Sequence, residues 1–374
     1  MKETVIPAVC LSLTLALSML VACGQQDAEV DEPARQSLLN DVKSKLESVD
    51  PIQRQAPFVL REFSPVMNGE WIGNAVSYGC YRQGQAPGVA GPSEAEILED
   101  LNIIQQHWSL IRVYGADDDA ERILGVIEQH DLPIRMMLGI WLEPEEGDSV
   151  HAATNTEQVL RGIELANRYS DIVMAVNVGN ETQVFWSAHR MKASTLIRYL
   201  RAVRNNVSVP VTTADDYNFW NKPESQAVAD EVDFVVTHIY PLWNGKTLNE
   251  AIGWMDQIYR EIQTAHPDRI VAIGEIGWAT NYNADKTGPG EQGTLVKGEV
   301  GYDAQAEFLI SLDRWVRDNR VTCFLFEAFD EPWKGGGESS PPNEIEKHWG
   351  VYYEDRTPKA SFQEFLSVTD GLRQ

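Results

Sequence analysis

Positive charge is scarce in this 374-residue chain, in which 31 Lys and Arg stand against 56 Asp and Glu, for a formal net charge of −25. No sustained Lys/Arg cluster interrupts that excess, which argues against nucleic acid as a partner and against electrostatic docking on anionic lipid. Uncharged polymers stay open as partners. The seven His show no paired metal spacing, and neither a Ser-His-Asp order nor a Gly-rich phosphate motif stands out, so no metal and no cofactor is expected. Cysteine is nearly lacking: of four residues, Cys10 and Cys23 fall in the leader, and only Cys80 and Cys323 remain in the body. Cys80 lies just beyond the first expected strand and Cys323 near the start of the last, toward opposite ends, so both are read as buried thiols and not as a bridge. What the chain does have is 43% hydrophobic residues, enough for a large core, and a length that suits one barrel of about 250 to 300 residues plus an extra segment.

The first residues read as an address. Ile6 to Ala22 is apolar, preceded by Lys2, and too short and too early for a spanning helix. It ends in Leu20-Val21-Ala22-Cys23 followed by Gly24, which resembles a bacterial lipoprotein signal with its lipobox. That resemblance implies cleavage after residue 22, an acyl chain on Cys23, and a protein held on the cell envelope, at the outer membrane, without spanning it. Residues 23–57, acidic at first through Asp27, Glu29, Asp31 and Glu32, read as a tether with helical spacing at Leu38, Val42 and Leu46.

From about Trp71 onward short apolar runs alternate with longer amphipathic segments, the pattern of repeated βα units. Eight can be counted. Their strands are expected at 75–78, 110–114, 134–142, a run ending at Glu181, 209–213, 234–240, a run ending at Glu275, and 322–327. The first helix opens with Ser93 and Glu96 at capping-box spacing. Residues 58–374 are therefore expected to form a single catalytic domain, a (β/α)8 TIM barrel. Two long Gly-rich loops, 280–302 and 330–347, would shape a cleft at its active face.

Two glutamates stand out in that frame: Glu181 in Val178-Gly179-Asn180-Glu181, and Glu275 in Gly274-Glu275-Ile276-Gly277-Trp278. Each closes an apolar, β-branched run, and in such a barrel a residue just past a strand faces the active site. Two opposed carboxyls are what glycoside hydrolysis needs, one to protonate the leaving oxygen and one to attack the anomeric carbon or activate water.

With these residues placed, the chain from Trp71 on resembles glycoside hydrolase family 17, the β-1,3-glucanase family. The matching motifs are Asn180-Glu181, Glu275, Tyr78-Gly79, and Glu331 and Lys334 with Glu346 ahead of Trp349-Gly350. The resemblance implies Glu181 as acid/base, Glu275 as nucleophile, Asn180 as a donor to the sugar 2-hydroxyl, and a retaining double displacement on β-1,3-glucan such as laminarin. Tyr240 could donate its phenol hydrogen to Glu275. Tyr78, Tyr81, Arg82, Tyr114, Trp243, Trp278 and Trp333 join Glu331, Lys334 and Glu346 as candidate substrate contacts, because sugar C–H faces stack on aromatic rings while hydroxyls go to charged and amide groups. Trp141 and Trp254 are read as packing, and His238 as an inward or packing residue. A transglycosylase on the same site, and a non-catalytic glucan-binding lipoprotein, are the alternatives. The expected partners are β-glucan and, through the anchor alone, a membrane; the chain is read as a monomer.

Overall fold

The computed structural model describes residues 32–48 and 50–373, with side chains through 369. Eight parallel strands close into a barrel in chain order: β1 (Asn74–Ser77), β2 (Leu110–Arg112), β3 (Arg135–Ile140), β4 (Val173–Asn180), β5 (Val211–Asp216), β6 (Val235–His238), β7 (Val271–Ile276) and β8 (Cys323–Leu325). Closure is made by β8 on β1, with Cys323 opposite Asn74 and Leu325 opposite Val76. The strands are apolar on both faces because one face packs inside the barrel and the other against the helices. α1 (Glu32–Glu47) precedes the barrel, and its surrounding ring comprises α2 (Glu94–Ile104), α3 (Asp118–Gln129), α4 (Ser149–Arg168), α5 (Ala193–Arg204), α6 (Leu248–Ala265), α7 (Tyr302–Asn319) and α8 (Ala360–Arg373). The fifth unit has only short helical turns, Tyr217–Trp220 and Gln226–Ala229. Side chains start several helices where the sequence indicated. Ser93 and Glu96 make the reciprocal capping box of α2, Thr247 and Glu250 that of α6, and Asp117 and Asp148 cap α3 and α4.

Inside the barrel, Phe234, Phe324 and Met137 interleave with Ala75, Ala175, Ala214 and Ala272, so large side chains fill the space that small ones leave. Phe63 stacks on Phe234 at 4.1 Å between ring centroids, beneath a short hairpin of Val66–Met67 and Glu70–Trp71. The lower barrel is thus solid. Polar side chains are gathered toward the carboxyl ends of the strands.

The segment read as a tether departs from that expectation. Its described part is α1, whose Val42 and Leu46 are buried against α4 and α5, while Arg198 on α5 donates to the carbonyls of Lys45 and Ser48 at the helix end. Leu39, Val42 and Leu46 make an apolar stripe, and burying it outweighs the freedom of a spacer. Cys23 lies outside the described residues. Cys80 and Cys323 are both buried and unpaired. No helix among the described residues is long and apolar enough to cross a membrane.

Candidate active site

At the carboxyl end of β4 the chain turns left-handed, with φ +80° at Gly179 and +51° at Glu181, and the pairing with β5 shifts register between Asn177 and Asn180. A non-glycine residue held there costs on the order of 1–3 kcal/mol and is kept by its surroundings; the Glu181 amide donates to the Ala214 carbonyl at 2.9 Å. The turn brings both Asn180 and Glu181 to the barrel mouth. β7 shifts register against β6 at the matching level, pairing Glu275 with His238.

Four elements meet around the two carboxylates. Arg112, fully buried at the end of β2, donates to Glu275 Oε1 at 2.9 Å, to the Gly274 carbonyl at 2.8 Å and to Asn180 Oδ1 at 2.6 Å. Tyr240 donates its hydroxyl to the other Glu275 oxygen, Oε2, at 2.8 Å. His238 on β6 bridges the pair, with Nδ1 2.9 Å from Glu181 Oε1 and Nε2 3.2 Å from Arg112 Nη1. A guanidinium has only hydrogens to give, so Nε2 must accept; the ring proton therefore sits on Nδ1 and is donated to Glu181. With its oxygen bound by Arg112, Asn180 keeps its amide NH2 as a donor.

Electrostatics split the two acids. Burial pushes the Glu181 carboxyl well above its usual range, and the negative charge of Glu275 adds to it. Burial would also raise Glu275, but His238, Arg112, the Tyr240 hydroxyl and Lys334 together hold it below the ordinary carboxylate value. His238 itself is pushed down to about 4 by burial, hence neutral near pH 7, so there the positive charge that holds Glu275 low comes from Arg112 and Lys334. Donor atoms of Glu181, His238 and Glu275 lie within 4.8 Å of one another, close enough to share an ion, but the Arg112 guanidinium already supplies positive charge at Glu275 Oε1. The arrangement presents one protonated and one ionised carboxyl a few ångströms apart.

Beyond β8 lies a second charged group. Lys334 contacts Glu327 at 2.7 Å and Glu331 at 2.5 Å, and Trp333 donates to Glu331 at 2.9 Å. Burial would lower the Lys334 amine, yet Glu327 and Glu331 hold it above its usual value. Burial, followed by the charge of Glu331, raises Glu327, whereas Glu331 is kept low against burial by Lys334, so one negative charge balances the amine. Glu346, half-buried, is raised to about 7 by burial, with Lys334 opposing and Glu275 adding to the shift. The two long loops are tied to each other: Gln292 Oε1 accepts from the Asn283 and Ile345 amides, and Lys286 pairs with Glu344.

Of the residues proposed from sequence, Asn180, Glu181, Tyr240 and Glu275 are joined in one hydrogen-bonded group, and Tyr114 stands beside it with Arg112 4.6 Å over its ring. Trp243 and Trp333 are half-exposed near Trp349 and Tyr81 respectively. Four others have their polar groups committed to other partners. Tyr78 is 2% exposed and gives its hydroxyl to Asp100 on α2; Trp278 is 1% exposed, packs on Phe308 of α7 and bonds the Glu299 carbonyl. Arg82 is spent on Glu99 and Asp100, and Tyr81 is buried with its hydroxyl on Asp119. Trp141, read as packing, is half-exposed at the end of β3, its ring nitrogen on Glu143 and its ring edge-on to His189. Sequence reasoning passed over Arg112, and left His238 without a role. The available signal was a charged residue within an apolar run, since such a group is rarely buried without a partner.

A (β/α)8 barrel with paired glutamates at the carboxyl ends of its fourth and seventh strands, one held protonated and one ionised, defines a glycosidase-type site. The chain belongs to the BtgE/BtgC glycoside hydrolase domain family, whose model matches residues 75–350. A btgC homologue of Aspergillus niger is 30% identical over 272 residues, 70% of this chain and 38% of that protein. The glucan endo-1,3-beta-glucosidase btgC of Emericella nidulans is 24% identical over 257 residues, 65% of this chain and 38% of its own. The chain thus spans about two fifths of the length of these relatives. Among solved structures, an endo-laminarinase from Formosa Hel1_33_131 superposes with a TM-score of 0.68 at 22% identity, covering 80% of this chain and 88% of that one. A glycoside hydrolase family 17 β-1,3-glucanosyltransferase from Rhizomucor miehei gives 0.62 at 21% identity, covering 77% and 96%. Those two share the fold.

Proposed function

We propose that this chain is a retaining glycosidase acting on β-1,3-glucan by double displacement, with Glu275 as nucleophile and Glu181 as acid/base. The observation that carries the proposal is the closeness of the two carboxylates, one oxygen of each lying within 4.8 Å of the other. Retaining enzymes place the two groups about 5–5.5 Å apart, whereas inverting ones need about 6.5–9.5 Å to admit a water. In the first step Glu275 attacks the anomeric carbon as the glycosidic C–O bond breaks, and Glu181 gives its proton to the departing oxygen. The ester so formed removes the charge of Glu275, the second cause holding Glu181 protonated. Glu181 then falls in pKa and can take a proton from the attacking water, which restores both groups. His238 occupies Glu181 Oε1, leaving Oε2 to carry the transferable proton.

The substrate is supported by the family and by the names of its relatives. One neighbouring structure is an active-site mutant of the Rhizomucor miehei β-1,3-glucanosyltransferase in complex with laminaritriose. That neighbour also favours a second reading: the same glycosyl-enzyme resolved by a sugar hydroxyl instead of water. A non-catalytic glucan binder has no need of two acids with opposed protonation. Residues 1–22 are proposed as a lipoprotein signal, with Cys23 anchoring the enzyme in the envelope. Proton NMR of fresh laminarin products decides the mechanism: β-anomers are expected first, and initial α-anomers would remove Glu275 from its role.

A further inference from the structure

We infer that Phe185 and Trp186 form an aromatic platform that binds the departing or accepting stretch of a glucan chain, outside the catalytic pair. The inference rests on the β-1,3-glucan reading above and extends it to where the polymer runs. Phe185 is 71% exposed and Trp186 52%, and no other Phe or Trp among the described residues is exposed. They follow Glu181 by four and five residues, in the loop between β4 and α5. Leaving two such rings in water forfeits the gain that burying them would bring.

A frayed loop tip would explain the exposure, but this loop is tied on both sides. The Gln183 and Val184 amides donate to Asp215 at 2.7 and 3.1 Å, and the Met191 amide donates to the Thr182 carbonyl at 2.9 Å. His189 meets Glu143 at 3.1 Å, and the Lys192 amide donates to Glu146 at 2.8 Å. The rings are therefore presented from a braced turn in a strongly acidic protein. Beside them a groove of about 540 Å³ is lined by Phe185 together with Gln183, Arg190, Lys192, Asn218 and Glu146. That size lies in the range of small-molecule sites. Amide, guanidinium, amine and carboxylate groups there can meet hydroxyls while the rings take the C–H faces.

Direction follows from the chemistry. Glu181 protonates the leaving oxygen, so the leaving stretch must lie on the Glu181 side of the mouth. The braced loop continues directly from Glu181. Four residues of extended chain reach at most about 14 Å, so Phe185 stands within a few sugar rings of the bond that breaks. The occupant is therefore the reducing-side portion of the glucan before cleavage, and an acceptor chain if transfer occurs.

The test compares the full chain with Phe185→Ala, Trp186→Ala and the double variant, using laminarin and an aryl β-laminaribioside. The double variant is expected to lose at least ten-fold more kcat/KM on laminarin than on the aryl substrate, mainly through KM, with Phe185→Tyr and Trp186→Tyr recovering most of it. Calorimetry with laminarihexaose in a Glu181→Gln background gives the binding arm, where at least a ten-fold weakening is expected. Wild-type cleavage of laminarin with unchanged ratios and unchanged hexaose binding would overturn the platform while the glucanase reading stands. A wild-type protein that neither cleaves nor binds β-1,3-glucan would overturn both.

Discussion

Removing the Arg112 guanidinium while keeping its bulk, as in Arg112→Met, should destabilise the fold more than any surface substitution, because it strands a buried carboxylate. Arg112 is fully buried and the Glu275 side chain is only 8% exposed, so water cannot replace the lost partner. Breaking a buried pair from one side costs about 3–5 kcal/mol. At roughly 2 °C per kcal/mol for a chain of this size, the midpoint of thermal unfolding should fall by about 6–10 °C. The Asn180 and Gly274 oxygens also lose their donor, which adds a smaller penalty. The double variant Arg112→Met/Glu275→Gln removes the stranded charge but not those orphaned oxygens, so it should regain more than half of the loss. The pH dependence has a definite sign. In the wild type Glu275 lies below 4.5, so its contribution is present above that pH and is lost as pH falls through its folded value. In Arg112→Met burial prevails and the carboxyl lies above 4.5, so the penalty is full at neutral pH and fades on acidification. The stability gap between the two proteins should therefore narrow from pH 7 toward pH 4.5. Urea unfolding across that range reads both effects. Losses that are strictly additive in the double variant, or a gap that is flat with pH, would refute Arg112 as the counter-ion of Glu275.

Glu181→Gln should lower kcat on laminarin by about 10²–10⁴, the usual worth of a general acid, and far less for the first step on an aryl glycoside with a good leaving group; near-wild-type turnover of laminarin by the folded variant would remove Glu181 from its role. Val42→Asp should undock α1, losing about 1.5–3 kcal/mol of apolar burial. Limited proteolysis should then nick the chain between α1 and the barrel while activity persists; continued protection would mean the helix is held by other contacts. Cys23→Ser should release the protein from the membrane fraction with activity retained, because acyl chains supply roughly 0.8 kcal/mol per buried CH₂ and the acidic body gains nothing from anionic lipid. Only residues 24–31 separate Cys23 from docked α1, so the wild type should also be held close to the membrane surface. A wild-type protein without lipid mass on its N-terminal peptide would leave a plain secretory signal.

How far the site could be read from sequence depends on side-chain parity. Strand ends were legible because β-branched runs bury on both faces, and Glu181 and Glu275 followed from their positions beyond those runs. Being at a strand end, however, fixes height along the barrel and not direction. Ala75 packs inside, so by the two-residue alternation Ser77 points in and Tyr78 points out, which is why Tyr78 meets Asp100 on α2 instead of the mouth. Leu110 packs inside, hence Arg112 and Tyr114 point in; Val236 packs inside, hence His238 and Tyr240 do as well. Applied from Glu275, the same alternation sends Trp278 outward onto α7. Parity alone would thus have recovered Arg112 and His238 and discarded Tyr78. It would have failed around the two glutamates. Ala175 and Glu181 share one parity, yet Asn180 between them also reaches the mouth, because the strand turns left-handed at Gly179 and Glu181. On β7, Ala272 packs inside while Glu275, of opposite parity, still faces His238 across a register shift. Such shifts leave no mark in hydrophobic spacing, since they depend on which neighbouring strand offers a carbonyl at that height. The two places where alternation breaks are the two that carry the acids, as expected where a regular sheet is bent to aim a side chain at chemistry.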